Sequence, residues 1–259
     1  MALALITGAS SGIGLELAEL FAGRGYDLVV AAENDGIYPA STTLSRWGVD
    51  VRPVQVDLRT PEGVERLYQQ ATEGDRPIDA AALNAGIGGG GSFVEGDLAH
   101  DMSIIDLNVR STVHLAKLVL RNMTRRDAGK VLLTSSLASM APGPFEAVYH
   151  ASKSFVQSFA GALQDELRDT GITITSLLPG TIETNFFNRA GMDETRAGQK
   201  PKDDPAEVAR QGFEAMMRGD RKVVGGSLTT KTVGVALRFL PDSLKAVASR
   251  VNSTPAGRR

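Results

Sequence analysis

A tyrosine and a lysine, Tyr149 and Lys153, stand four residues apart in an amphipathic stretch that predicts a helix. On a helix this spacing places both side chains on one face. A phenol with a pKa of about 10 is a weak acid–base catalyst at neutral pH, but a nearby ammonium stabilises the phenolate and lowers that pKa. The pair therefore indicates general acid–base chemistry at an oxygen atom.

A serine upstream of this pair adds a hydrogen-bond donor. Ser136 closes a predicted strand, where its hydroxyl can bond a substrate oxygen. Taken singly, each residue has a plainer interpretation. Tyr149 can be a core aromatic with a satisfied hydroxyl, Lys153 a solvated charge, and Ser136 the cap of a helix or turn. The catalytic interpretation depends on the three acting together.

The stretch Thr7 to Gly14, TGASSGIG, lies between the apolar run Ala2 to Ile6 and an amphipathic helical pattern. A strand, a glycine-rich turn and a helix in this order point unpaired N–H groups and the positive end of a helix dipole at one spot. Glycines let a pyrophosphate approach the backbone closely. The order predicts dinucleotide binding. The alternative is an ordinary tight turn between a strand and a helix.

Further along, apolar runs alternate with helical patterns. The predicted strands are Asp27 to Ala32, Val51 to Val56, Ile78 to Leu83, Lys130 to Thr134, Ile172 to Leu178 and Lys222 to Gly225. The predicted helices are Gly12–Arg24, Pro39–Trp47, Pro61–Ala71, Leu98–Arg125, Val148–Asp169 and Pro205–Met217. Because the strand runs are continuously apolar, they indicate a mostly parallel sheet covered on both faces, a doubly wound α/β fold.

The composition restricts the classes of protein. The chain has 259 residues, of which 42% are hydrophobic, and a net charge of −2. These values are typical of one globular domain that binds neither nucleic acid nor a membrane. We expect no targeting segment and a cytoplasmic location. With no cysteine, and with His100, His114 and His150 outside metal-ligand spacing, we expect no metal site.

From Leu3 to Phe187 the sequence resembles the short-chain dehydrogenase/reductase family, with the motifs in the family's order. The motifs are TGxxxGxG at Gly8, Gly12 and Gly14, NAG at Asn84 to Gly86, LNVRS around Asn108, Ser136, YxxxK at Tyr149 and Lys153, and PGxxxT at Pro179, Gly180 and Thr184. The resemblance implies a Rossmann-like, three-layer α/β/α domain with a seven-stranded sheet. It also implies an enzyme that uses NAD(P) to interconvert a secondary alcohol and a ketone.

The resemblance also implies roles for individual residues. Tyr149 would be the general acid–base, Lys153 would lower its pKa and hold the nicotinamide ribose, and Ser136 would position the carbonyl oxygen. Asn108 would support a water that relays protons to Lys153. Besides Tyr149 and Lys153, the implied cofactor-binding residues are Gly8, Ser10, Ser11, Gly12, Ile13, Gly14, Glu33, Asp57, Leu58, Asn84, Ala85, Gly86, Pro179, Gly180, Ile182 and Thr184.

The choice between NAD and NADP depends on Glu33, at the end of the second predicted strand. A carboxylate there can accept hydrogen bonds from the adenosine ribose, and no lysine or arginine occurs from Gly25 to Ser45. Many NADP-using relatives carry an arginine at this place, so we predict a preference for NAD. The alternatives are that Glu33 is a solvated loop charge and that Ser10 and Ser11 bond a phosphate. Asp57 either caps its turn or contacts adenine.

Other parts of the chain leave alternatives open. The glycines Gly88 to Gly91 lie at the ligand rim or form a connector without ligand contact. Residues 185–204 correspond to the family's variable substrate lid, and 227–259 to a C-terminal extension that covers the cleft or a partner. Apolar helices and the resemblance predict a homodimer or homotetramer. A non-catalytic dinucleotide-binding regulator is the alternative function, and the absence of a phosphate-loop lysine disfavours a nucleotide-dependent transferase. The substrate's identity does not follow from the sequence.

Overall fold

The computed structural model describes residues 1–182 and 202–253. Within them seven strands form one sheet in the order β3-β2-β1-β4-β5-β6-β7, and every neighbouring pair is parallel. The strands are β1 Leu3–Thr7, β2 Asp27–Ala32, β3 Val51–Gln55, β4 Ala80–Leu83, β5 Gly129–Thr134, β6 Ile172–Pro179 and β7 Lys222–Gly225. The predicted parallel, doubly wound sheet is confirmed.

The strands are apolar on both faces, which is why helices must cover both sides of the sheet. Every residue of β1, β2 and β4 is buried. Side chains alternate between the faces of a strand, so Leu5 and Ile6 of β1 enter two different hydrophobic cores. One core lies on each side of the sheet, and this arrangement gives three layers.

The helices have nearly the predicted bounds, except that Leu98–Arg125 is divided and the last two helices were not predicted. They are α1 Gly12–Ala22, α2 Ile37–Leu44, α3 Pro61–Ala71, α4 Leu98–Ile105, α5 Thr112–Thr124, α6 Ala147–Glu166, α7 Pro205–Arg218, α8 Leu228–Phe239 and α9 Asp242–Ser253. The starts and ends follow local chemistry. The Asp204 carboxylate accepts the N–H of Ala206 to begin α7, and Gly219, with φ of 79°, ends it.

The prediction of one continuous α-helix over Leu98–Arg125 is wrong, because the helix is interrupted. A π-helical turn, Asp106–Ser111, separates α4 from α5. The hydroxyls of Ser111 and Thr112 donate to the carbonyl oxygens of Leu107 and Asn108, four residues earlier. Such bonds compete with the regular backbone hydrogen bonds of an α-helix and loosen them. The extra residue of the π turn changes the direction in which Asn108 points.

The strand order determines where a ligand can bind. β1 lies between β2 and β4, so the chain crosses to one side after β1 and returns to the other side for β4. This reversal opens a crevice beyond the carboxyl ends of β1 and β4. The glycine turn after β1 and the NAG segment after β4 both lie there. Throughout residues 1–182 and 202–253, no helix has the length and apolarity to cross a bilayer.

Candidate active site

The glycine-rich turn between β1 and α1 brings backbone against backbone. Gly8 and Gly12 have φ angles of 70° and 56°, in a region that side chains with a Cβ rarely adopt. A Cβ on Gly14 would lie 2.1 Å from the carbonyl oxygen of Gly8. The Ser11 side chain makes no capping bond to α1, which leaves the N-terminal turn of this helix suited to an anion. The turn fits the pyrophosphate of a dinucleotide.

The NAG segment is fixed to the ends of two neighbouring strands. The Thr7 hydroxyl oxygen accepts the N–H groups of Asn84 and Ala85, at 2.9 and 3.0 Å. The Asn84 amide donates to the Thr7 carbonyl, and its side-chain oxygen accepts a bond of 3.1 Å from the Thr134 hydroxyl. A Cβ on Gly86 would lie 3.1 Å from Lys153 Nζ. These contacts join the glycine turn to the lysine of the YxxxK motif.

Asn108 links the π turn to the loop after β4. Its Nδ2 donates to the Ile87 carbonyl at 2.9 Å and to the Ser152 hydroxyl at 3.0 Å. Its Oδ1 accepts the N–H of Ile87 at 3.0 Å. The side chain is buried, and Ser152 is the residue before Lys153. Asn108 therefore holds the loop and α6 together, while its expected support of a water stays a prediction.

Tyr149, Lys153 and Ser136 come together beyond the carboxyl end of β5. Tyr149 and Lys153 lie in α6, and the Ser136 hydroxyl lies close enough to the Tyr149 hydroxyl to lower its pKa. Lys153 is buried and its Nζ donates to the carbonyl oxygen of Thr134 at 3.1 Å. The Ser135 hydroxyl donates to the Lys153 carbonyl and fixes α6 against the end of β5. The three residues that the sequence analysis grouped as catalytic candidates therefore lie close together, at the end of β5 and on α6.

Burial disfavours the charged forms of both Tyr149 and Lys153, and it therefore shifts their pKa values in opposite directions. It raises the pKa of Tyr149 to about 12, with a lowering contribution from the Ser136 hydrogen bond and a raising one from the Glu146 carboxylate. Burial lowers the pKa of Lys153 to about 8. The net shift of Tyr149 is opposite to the predicted one, because desolvation disfavours the phenolate more than the neighbours favour it. At neutral pH the tyrosine holds its proton.

At the adenosine end, the structure adds a cation that the sequence analysis missed. Arg59 bonds the Asp57 carboxylate through Nε and NH2, and its NH2 lies 3.4 Å from Glu33 Oε2. Asp57 also accepts the N–H of Arg59, so it caps its turn as one interpretation held. Glu33 is therefore paired at this rim. No local pattern indicated this pair, because it depends on the strand order, which places β3 beside β2.

The remaining predicted cofactor residues, with one exception, lie near the carboxyl ends of strands or at the start of α1. Gly180 follows β6, and a Cβ there would lie 2.7 Å from the Thr230 methyl group. Ile182 is buried and pairs with Asp203 in an isolated parallel bridge. Ser10, Ile13, Leu58 and Pro179 lie at the carboxyl ends of their strands or at the start of α1. Thr184 and nearly all of the predicted lid, 185–204, lie outside the described residues.

Two of the three histidines have local hydrogen-bond partners. His114 bonds Glu65 at 2.8 Å, and His150 Nδ1 lies 2.8 Å from the carbonyl oxygen of Ala141. Across the described part of the chain, no group of three or more histidine, aspartate or glutamate side chains could hold a metal ion. A further residue that the sequence analysis missed is Glu146, three residues before Tyr149. No motif marks it.

The sequence of residues 2–195 matches the family model described as short chain dehydrogenase. The chain belongs to the short-chain dehydrogenase family. It is 32% identical over 189 residues to the uncharacterized oxidoreductase YmfI of Bacillus subtilis, covering 72% of this chain and 77% of that protein.

Solved structures of the family share the fold. A short-chain dehydrogenase from Sphingobium yanoikuyae in complex with NADPH has a TM-score of 0.81 and 28% identity, covering 100% of this chain and 98% of that one. A family member from Burkholderia phymatum in complex with NAD has a TM-score of 0.84 and 23% identity, with the same coverage. As a short-chain dehydrogenase, the protein is an oxidoreductase that transfers a hydride between a nicotinamide cofactor and an alcohol or ketone.

Proposed function

We propose that Tyr149, Lys153, Ser136 and Asn108 carry this reaction on a secondary alcohol or ketone. A bound nicotinamide supplies or accepts the hydride. The Tyr149 hydroxyl gives its proton to the alkoxide oxygen in reduction and takes it back in oxidation. Ser136 holds that oxygen, and the Lys153 ammonium stabilises the phenolate and holds the nicotinamide ribose. The supporting observation is that the three side chains meet at the end of β5, where Ser136 lowers the pKa of Tyr149 and Lys153 Nζ donates to the Thr134 carbonyl oxygen.

A turnover screen tests this proposal. Secondary alcohols and ketones, from small ketones to sugars, steroids and acyl chains, are offered with NADH, NADPH and their oxidised forms. Oxidation or reduction of the nicotinamide that depends on both substrate and protein supports the proposal. Binding of a dinucleotide without turnover of any compound would favour the alternative, a regulator or scaffold that keeps the fold.

For the cofactor, we propose a preference for NAD. The Glu33 carboxylate suits the two free ribose hydroxyls, and no arginine or lysine follows β2 before Ser45. Arg59 partly offsets the charge of Glu33 but is itself bonded to Asp57. The glycine-rich turn between β1 and α1 fits the pyrophosphate of NAD and of NADP equally, so it does not favour one of them.

We also propose that the chain is one domain with a substrate lid at 185–204 and an extension at 227–259. The α8 and α9 helices of that extension continue from β7, the last strand of the sheet. We propose a cytoplasmic location, since the cytoplasm supplies the nicotinamide cofactors that the reaction consumes.

We predict that the protein is a homodimer or homotetramer. Exposed apolar side chains line α4 and α6, with Met102 46% exposed and Phe155 42% exposed. An apolar hollow lies between the two helices. Such contiguous surface is typical of an interface between copies of a chain. Light scattering at micromolar protein is expected to give at least twice the 27.4 kDa of one chain. Phe155→Glu should lower that mass, whereas a monomer mass for the unaltered protein would contradict the prediction.

A further inference from the structure

The backbone that leads into the catalytic helix is strained and held from one side by the glycine loop. Phe145 has a φ of 67°, a conformation that is costly for a bulky residue. Its carbonyl oxygen accepts the N–H of Gly91 at 2.8 Å, and the N–H of Glu146 donates to the Gly143 carbonyl at 3.0 Å. The surrounding structure therefore fixes Glu146 immediately before α6.

The C-terminal helix α9 holds the same segment from the other side. The Ser253 hydroxyl donates to Glu146 Oε1, across 107 positions of sequence. Ser253 is buried although most of α9 is exposed. One turn earlier, the Arg250 guanidinium lies 5.6 Å from the centre of the Phe145 ring. Two residues of α9 thus contact the two residues that precede the catalytic helix.

Glu146 lies one helical turn before Tyr149, at a spacing that makes side chains neighbours on a helix. It borders a cavity of about 60 Å³ that is also lined by Gly89 to Gly91, His100 and Phe145. The charged and titratable groups that face it come from three elements. They are Tyr149 and His150 on α6, Arg250 on α9, which lies against the ring of the preceding Phe145, and Asp97, His100 and Asp101 across the cavity at the start of α4.

The electrostatics agree with this geometry. Burial raises the pKa of Glu146, whereas the Ser253 hydrogen bond and His150 lower it. The Glu146 carboxylate in turn raises the pKa of Tyr149. The Ser253 bond therefore favours the ionised form of Glu146, and that negative charge favours the protonated form of Tyr149.

We propose that Glu146 is a positioning residue for the catalytic tyrosine, and that Ser253 holds its carboxylate in place so that α9 controls the protonation of Tyr149. The proposal rests on the proposed function of Tyr149. It gives the C-terminal extension a task in the reaction that neither the sequence motifs nor the family match assigns. The acid form of the tyrosine is the one that reduction of a ketone requires.

The test is the pH profile of kcat/KM for oxidation of the alcohol found in the screen, the direction in which Tyr149 must act as a base. Glu146→Gln keeps the size and the hydrogen-bonding oxygen but removes the charge. We expect it to move the limb governed by Tyr149 toward lower pH by roughly one unit. Glu146→Asp keeps the charge and is expected to move that limb by less than half as much.

Ser253→Ala is expected to shift the limb in the same direction as Glu146→Gln but by less, because the Glu146 carboxylate keeps its charge and is no longer held in one position near Tyr149. Ser249→Ala is the matched control, since Ser249 is in the same helix and its side chain has no bond to Glu146 among the described contacts. It should leave the profile unchanged. A Ser249→Ala shift equal to that of Ser253→Ala would show a general loosening of α9 and overturn the proposal.

Two outcomes separate this inference from the proposed function. If Tyr149→Phe loses turnover while Glu146→Gln lowers kcat without moving the limb, Glu146 has only a structural role and the inference fails alone. If Tyr149→Phe keeps turnover, the proposed function fails, and the inference fails with it. A shift in Glu146→Gln, with the limb restored in Glu146→Asp, supports both.

Discussion

Tyr149→Phe is expected to lower turnover by about 10²–10⁴-fold, the usual contribution of a general acid–base group. The change removes one hydroxyl and leaves the ring, so the packing of α6 is kept. The lost hydroxyl is the one that lies near Ser136 beyond the end of β5. The measurement is kcat with the substrate found in the screen.

The fold and cofactor binding must be checked in the same variant. Its circular dichroism and its affinity for the nicotinamide cofactor should match those of the unaltered protein, because the glycine turn lies on another element. Tyr38→Phe is a matched control, since Tyr38 is exposed in α2 and also loses only a hydroxyl. Near-normal turnover in Tyr149→Phe would contradict the assignment of the catalytic residue.

The sheet and most helices could be predicted because their residues carry the signal locally. A strand buried on both faces must be continuously apolar, and all seven predicted runs became strands. Helix bounds followed where a cap was present, as at Thr60, which accepts the N–H of Gly63 before α3. The π turn was missed because the hydroxyls of Ser111 and Thr112 are compatible with an ordinary helix. Only their bonds to earlier carbonyls show the bulge.

The site was predictable as far as it consists of motifs with fixed spacing. Tyr149 and Lys153 are one turn apart, so a helix alone explains their proximity. The residues that surround them were not predictable in this way. Ser253 reaches Glu146 only through the complete path of the chain, and no local pattern encodes that contact. Thr7 and Thr134, which fix Asn84, look like ordinary strand residues until the strand order is known.

The pKa of Tyr149 shows a second limit of prediction from the sequence. Sequence spacing indicates that an ammonium is near, and this alone predicts a lowered pKa. It cannot indicate how completely both groups are removed from water. In the structure desolvation dominates for Tyr149 and for Lys153, so the two pKa values move apart, to about 12 and about 8. The direction of a shift therefore depends on burial that only the packed structure gives.

The last prediction concerns the cofactor. NADH is expected to bind about tenfold to a hundredfold more tightly than NADPH, the range that charge-assisted hydrogen bonds of roughly 1.5–3 kcal/mol provide. The two differ by a phosphate of about −1.5 to −2 charges near neutral pH. Glu33 can accept bonds from the free ribose hydroxyls but repels that phosphate. Separate titrations of both cofactors give the ratio, which should fall as salt screens the repulsion.

The ion pair between Glu33 and Arg59 makes two variants move this ratio in opposite directions. Glu33→Ala removes the repelling carboxylate and releases Arg59 toward the phosphate, so NADPH should gain and the ratio should fall toward one. Arg59→Ala leaves Glu33 without that cation, so the discrimination against NADPH should increase. Glu73→Ala is the matched control, because it removes a carboxylate from the exposed ion pair with Arg52 and should leave the ratio unchanged. Tighter binding of NADPH that persists in Glu33→Ala would show that Glu33 does not select the cofactor, and that Arg59 or the serines of the glycine turn hold the phosphate instead.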